Sequence, residues 1–246
     1  MKAPVDAQLK LLDLQATDTA IAQVQHRRKS LPEHAALAEA QQRRGRLTEQ
    51  ITAIGTQVSD LELDQAKAEA DLVPVRQRLV RNETRRDDGS VTDPKQLQSM
   101  IEEIGHLKKR ISDLEDAELE VMGAAETAQA QHTELVAGRT AVENEMRALL
   151  ATRDAATKLL DAELAGLETT RTRLAGILPR DLVDLYDRLR GRLGTGAAAL
   201  RARRCGGCQI EADTAALMAY AAAAPDDVLR CEECDRILVR TLESGI

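Results

Sequence analysis

The chain has 246 residues, a formal net charge of −7 and 30% charged side chains, yet no Phe, no Trp and only two Tyr. Aromatic side chains supply much of the buried area of compact cores, so this composition points away from an ordinary globular enzyme and toward long helices packed along narrow seams. The acidic balance argues against indiscriminate nucleic-acid binding by the whole chain, though not against a local basic face.

Met1 to Lys10 carries Lys2, Asp6 and Lys10 and lacks the apolar run of a secretory signal, which predicts a cytoplasmic protein with reduced thiols. The longest uncharged apolar stretch, Ala215 to Ala224, falls well short of the roughly 20 residues that cross a bilayer. No membrane association is expected. Leu9, Leu12, Ala16, Ala20 and Val24 form a weak helical stripe near the N-terminus.

From Leu37 to Leu79 the apolar residues climb a heptad ladder broken only by Arg44 and Gln65, the pattern of a coiled-coil seam. Pro32 and Pro74 fall within this arm and predict bends. A second ladder runs from Leu97 through Ile104, Ile111, Val121, Ala128, Leu135 and Val142 to Leu149, then shifts phase to Leu160, Leu164, Leu167, Leu174 and Leu178. Between the ladders, Asp87-Asp88-Gly89-Ser90 is turn chemistry. Asp93 reads as an N-cap, with Pro94 at the first helical position and Gln96 completing a capping box. Two arms of similar length around one turn predict an intramolecular antiparallel hairpin, roughly 120 Å long at about 1.5 Å per residue. The competing reading is one continuous helix in a parallel dimer. His26, His34, His106 and His132 are scattered and suggest no catalytic base.

After Pro179 a short amphipathic helix is expected over Arg180 to Arg192, with Leu182, Leu185, Tyr186 and Leu189 on one face. Gly191, Gly194 and Gly196 then suggest a loose linker. The only four cysteines follow as two clamps, Cys205-Gly-Gly-Cys208 and Cys231-Glu-Glu-Cys234, separated by 22 residues. Paired C-x2-C clamps suit one tetrahedral Zn²⁺, and four sulfurs leave no vacancy for an activated water, so the metal is expected to be structural. Disulfides, a redox pair or buried thiols are the alternatives. Gly206 and Gly207 suit a knuckle that needs positive φ, with Asp235 tolerating the same region in the second clamp. A helix capped by Asp213 and strands at Val228–Arg230 and Ile237–Arg240 complete the picture.

The predicted class is mainly α: a long antiparallel coiled-coil hairpin (residues 1–178, tip near 86–94), a short helix and Gly-rich linker (179–200), and a small C4 zinc ribbon (201–246). Arg188, Arg190, Arg192, Arg201, Arg203 and Arg204 occupy a stretch without acids, and Arg230, Arg236 and Arg240 could join them on one face. Such a cluster could grip phosphates, or be an ordinary solvated linker. Tyr220 is the single aromatic within the ribbon, so base stacking finds little support.

The segments Val91-Thr92-Asp93-Pro94-Lys95-Gln96-Leu97, Leu185-Tyr186-Asp187-Arg188-Leu189-Arg190 and Arg230 to Leu238 around the second clamp resemble a bacterial family of coiled-coil proteins with a C-terminal C4-type zinc ribbon. The resemblance spans the chain, and the alanine and arginine richness resembles an actinobacterial version. Two positions depart from the family pattern: Asn is commoner than Asp93 before the proline, and Gly is usual where Asp235 stands. The resemblance implies a non-enzymatic adaptor, because related proteins are binders of an alternative sigma factor, of flagellar or secretion components and, in one branch, of mRNA. Flagella are not implied here. The expected role is therefore adaptor to protein partners through the hairpin tip (Asp87, Asp88, Gly89, Asp93, Pro94) and the ribbon, with no small-molecule substrate. The alternative is RNA or DNA binding through the arginine-rich ribbon face.

Overall fold

A computed structural model describes residues 1–246. It contains the helices α1 (Val5–Lys29), α2 (Pro32–Asp87), α3 (Pro94–Ile177), α4 (Arg180–Leu193) and α5 (Thr214–Ala222). The strands are β1 (Ala197–Arg201), β2 (Arg204–Cys205), β3 (Leu229–Arg230) and β4 (Ile237–Val239). Two compact units emerge, residues 35–150 and residues 1–34 with 151–246. This division cuts across the expected boundaries, because the first helix and the end of the second arm belong with the ribbon.

Residues 35–150 form an antiparallel helical pair. Every expected seam position of α2 from Leu37 to Leu79 is buried or half-buried except Arg44, and every one from Leu97 to Leu149 on α3 is too. Only Ala40, Leu72, Ile104, Ala128 and Val142 are fully buried, as expected of a seam two helices thick. Ion pairs flank it: Arg43–Glu145 and Arg76–Glu115 at 2.6 Å, Lys108–Glu83 at 2.8 Å, and Arg78–Glu103. Each joins like heptad flanks, the pairing that antiparallel helices impose and a parallel pair does not. At the turn, Gly89 takes φ 68°. Asp88 accepts the Ser90 N–H at 2.9 Å, and Asp93 accepts the Lys95 N–H at 3.0 Å. Asp93 thus caps the helix through the second helical N–H, but the expected capping box with Gln96 does not form. Pro74 lies inside α2. Pro32 does not bend a continuous arm; the chain breaks at Ser30–Leu31 and Pro32 opens α2, where a missing N–H removes no helical bond.

The other unit is built differently. Its sheet runs β2-β1-β4-β3, with β1 and β4 parallel and both edge pairs antiparallel. Alternation along the central strands feeds two cores. Ala197, Ile237 and Val239 join Leu11, Leu14, Leu178, Leu182 and Tyr186. Ala198, Leu200 and Leu238 join Ala216, Tyr220, Cys205 and Cys231. The expected Gly-rich linker is thus a central strand. Alanine is a poor strand former, but only small side chains fit here. A Cβ at Gly196 would lie 2.5 Å from the Tyr186 carbonyl oxygen, and one at Gly207 would lie 3.3 Å from the Ala198 Cβ.

The weak N-terminal stripe is also corrected. Leu9 is exposed, and the buried face of α1 is Ala7, Leu11, Leu14, Asp18, Ile21 and Val24, with Gln8 and Gln15 beside it. Polar side chains therefore sit in the interface. Gln8 Nε2 donates to the carbonyl oxygens of Ala3 and Pro225, and Gln15 Oε1 accepts the N–H groups of Gly196 and Ala197. The segment before α1 is stitched to the ribbon as well: Ala3 N–H donates to Asp226 O at 2.8 Å and Val228 N–H to Met1 O at 3.0 Å.

Candidate metal centre

Each clamp is built by the same backbone pattern. Cys205 N–H donates to Ile210 O at 3.0 Å and Gln209 N–H to Cys205 O at 2.8 Å. Cys231 N–H donates to Arg236 O at 2.9 Å and Asp235 N–H to Cys231 O at 2.8 Å. The residue after each second cysteine is left-handed, Gln209 at φ 64° and Asp235 at φ 63°. Gly206 and Gly207 are not, contrary to the expectation that they supply positive φ. Their value is space: a Cβ on Gly206 would meet Ala199 O at 3.0 Å, and one on Gly207 would meet the Arg236 Cδ at 2.6 Å.

The four sulfurs lie within 4.8 Å of one another, with Cys205 to Cys234 and Cys208 to Cys231 both at 3.8 Å. A tetrahedron with Zn–S bonds of about 2.3 Å has edges of about 3.8 Å, so the donor set fits zinc. Disulfides, with S–S near 2.05 Å, are excluded by these separations. Burial pushes the Cys231 thiol up to about 12 and raises Cys205 too. Burial acts the same way on Cys234, but hydrogen bonds from Arg236 and the neighbouring thiols bring it down to about 7. A divalent cation is what makes four thiolates compatible with such a site. Cys205, Cys208, Cys231 and Cys234 therefore hold one structural zinc, and all four positions around it are filled by protein.

The nine arginines expected on one phosphate-gripping face are dispersed and mostly occupied. Arg190 reaches into the helical core to Asp18 at 2.8 Å. Arg192 and Arg230 both pair with Asp235, so the residue that departs from the family glycine uses its side chain as an ion-pair hub. Arg201 pairs with Glu243 and Arg204 with Glu211. Arg236 donates to Thr195 Oγ1 and Leu193 O, tying the second clamp to the end of α4. Arg240 caps the end of α5, donating to the carbonyl oxygens of Ala223 and Ala224. The Arg203 side chain donates only to Gly245 O, at 3.4 Å, and Arg188 has no ion pair.

A buried network that sequence reasoning missed lies in the same unit. Asp18, with a side chain 2% exposed, accepts from Arg171 Nε at 2.9 Å, Arg190 at 2.8 Å and the Tyr186 hydroxyl at 2.7 Å. Arg171 also reaches Asp187 at 2.6 Å. Burial, then the bond to Asp18, raises the Tyr186 phenol well above its ordinary range. Arranged so, the carboxylate joins α1, α3 and α4. Its signal was available: Asp18 continues the heptad series 7, 11, 14, 18, 21, and Gln8 and Gln15 stand one heptad apart.

Comparison with known proteins agrees with this architecture. Residues 14–194 match the CT398-like coiled coil hairpin domain, and residues 204–238 match a C4-type zinc ribbon domain. The chain is 35% identical over 247 aligned positions to an uncharacterised protein of Mycobacterium tuberculosis, covering 98% of each. A solved structure from Mycobacterium smegmatis is 36% identical with a TM-score of 0.84, covering 98% of this chain and 100% of that one. CT398 from Chlamydia trachomatis shares the fold at 18% identity and a TM-score of 0.69, covering 96% and 98% of the two chains. Helical pairing, clamp geometry and these matches together place the chain in the family of CT398-like coiled-coil hairpin proteins that carry a C4-type zinc ribbon.

Proposed function

We propose that this protein is a non-enzymatic adaptor that binds other proteins in the cytoplasm, in transcription- or secretion-related assemblies, through its ribbon and hairpin tip. The observation that carries this reading is the saturated zinc: a metal with four protein thiolates has no coordination position to offer a substrate or a water. No helix is long and apolar enough to cross a membrane, which accords with a cytoplasmic setting. The nucleic-acid alternative loses support because eight of its nine arginines already serve acids or backbone carbonyls, leaving Arg188.

Affinity capture from a native extract tests this, comparing the zinc-loaded protein with the Cys231→Ser/Cys234→Ser variant and titrating oligonucleotide affinity against salt. Specific protein partners lost with the ribbon, and no nucleic-acid binding at low salt, are expected. A steep log–log salt slope indicating several phosphate contacts would replace this reading with the alternative.

A further inference from the structure

A second stripe runs along α2 on the face turned away from the seam. Leu63, Ala66, Ala70, Val73, Gln77 and Val80 recur at alternating steps of three and four residues, the spacing of a coiled-coil seam, yet all six are exposed. Its bulky members are among the barest hydrophobic residues of the chain: Leu63 is 61% exposed, Val73 52% and Val80 60%. The outer face of a helix in a two-stranded pair is ordinarily polar. Around Val80, the side chains of Arg76, Gln77 and Arg81 frame an open hollow of about 430 Å³. Charges line the stripe without being used up. Asp60, Glu69 and Arg81 are exposed and form no ion pair within the chain, and Arg76 holds only the exposed Glu115.

We infer that this stripe is a self-association surface, on which α2 of a second copy of the chain packs antiparallel about a two-fold axis between Ala70 and Val73. In that register Leu63 meets Val80 of the second copy and enters the hollow beside it. Ala70 meets Val73 and Ala66 meets Gln77, and the two-fold axis repeats each layer. Charge selects both the occupant and its direction. The flanking positions bring Glu69 against Arg76 of the second copy and Asp60 against Arg81, each pair again occurring twice. Glu62 falls near Glu83, whose charge Lys108 already answers at 2.8 Å. Parallel packing would instead set Arg76 against Arg81 and Glu83 against Asp88, with Glu62 and Lys67 the one attractive pair. So short an apolar interface supports a reversible dimer rather than an obligate one. This goes beyond the adaptor reading and does not depend on what the ribbon binds.

Sedimentation velocity of the zinc-loaded full-length protein, from about 1 to about 200 μM, tests this in the range where a small interface assembles. A concentration-dependent monomer–dimer equilibrium is expected. Val80→Lys should weaken the dimer about tenfold or more, with the helical circular dichroism and unfolding midpoint unchanged because the side chain is 60% exposed. Glu69→Arg and Arg76→Glu should each weaken it about tenfold, since each sets like charges across the axis twice. An equimolar mixture of these two variants should associate about as well as the parent, because both pairs are then opposite in sign. Antiparallel pairing of α2 with α2 predicts that rescue, and parallel pairing does not. A protein still monomeric at the top of the range, a dimer indifferent to Val80→Lys, or a mixture no better than its components would overturn the inference. So would a monomer that loses a captured protein from extract on Val80→Lys, which would give the stripe to that partner instead.

Discussion

Residues 35–150 and the ribbon-bearing unit solve the burial problem in opposite ways. The helical pair spreads its apolar contacts along one seam, where most positions are half-buried and only five hydrophobic residues are fully buried. The ribbon-bearing unit concentrates them, with Leu11, Leu14, Leu182, Leu200, Tyr186 and Ile237 all below 2% exposed. It also spends polar chemistry in its interior, through Asp18, Gln8 and Gln15. A seam tolerates local loss because neighbouring heptads are independent; a small core organised by one metal and one carboxylate does not.

Removing the metal should break the contrast most sharply. A chelator is expected to abolish amide-exchange protection over residues 204–238, because so small a module depends on the ion for folding free energy. Far-UV circular dichroism should barely change, since α5 contributes only nine helical residues; collapse of the helical signal would show that the long helices depend on zinc too. Next in size is Asp18→Ala, which leaves Arg171 and Arg190 facing a buried void and should cost roughly 3–5 kcal/mol in denaturant unfolding of the metal-loaded protein. Tyr186→Phe, losing one hydrogen bond to that carboxylate, should cost about 1–2 kcal/mol.

Within the seam, Leu72→Ala should cost roughly 2–3 kcal/mol, a cavity effect at one of its few sealed positions. A pH experiment sharpens the comparison from the other side. The fold favours neutral Tyr186, so its contribution is complete below the unfolded phenol value of about 10 and is lost as pH rises above it. Both tyrosines are raised, chiefly by burial. Phenolate absorbance should therefore stay low through pH 10 until unfolding releases it, and an ordinary titration of Tyr186 would contradict its burial. Smallest is Arg76→Ala, an exposed pair on the seam's flank, which should change stability by less than about 1 kcal/mol.

Heptads, turn and cysteine spacing were legible because each is a local pattern that one physical constraint enforces. Leu37 to Leu79 must face a partner helix, Asp93-Pro94 must start a helix, and two C-x2-C clamps suit one ion. The failures share a cause. Ala197–Leu200 fell in the expected Gly-rich linker, and only the first clamp and α4 lying against it make a strand of alanines stable. Leu9 and Leu12 outweighed Asp18 in the first stripe, because a carboxylate is a credible core residue only once Arg171, Arg190 and Tyr186 converge on it from positions more than 150 residues away. The arginine run read as a face because charge in sequence does not reveal which acids will neutralise it.

The bonds joining Ala3 to Asp226 and Val228 to Met1 impose an order on biosynthesis. At about 5–20 residues per second, the first segment waits on the order of ten to fifty seconds after leaving the ribosome before its partner strand exists. For most of that interval, until Arg171, Tyr186 and Arg190 emerge, Asp18 has none of its partners. A late stretch of the chain is thus the one that completes the packing of an early one, and a chain halted before the second clamp would leave the segment ahead of α1 without its partners.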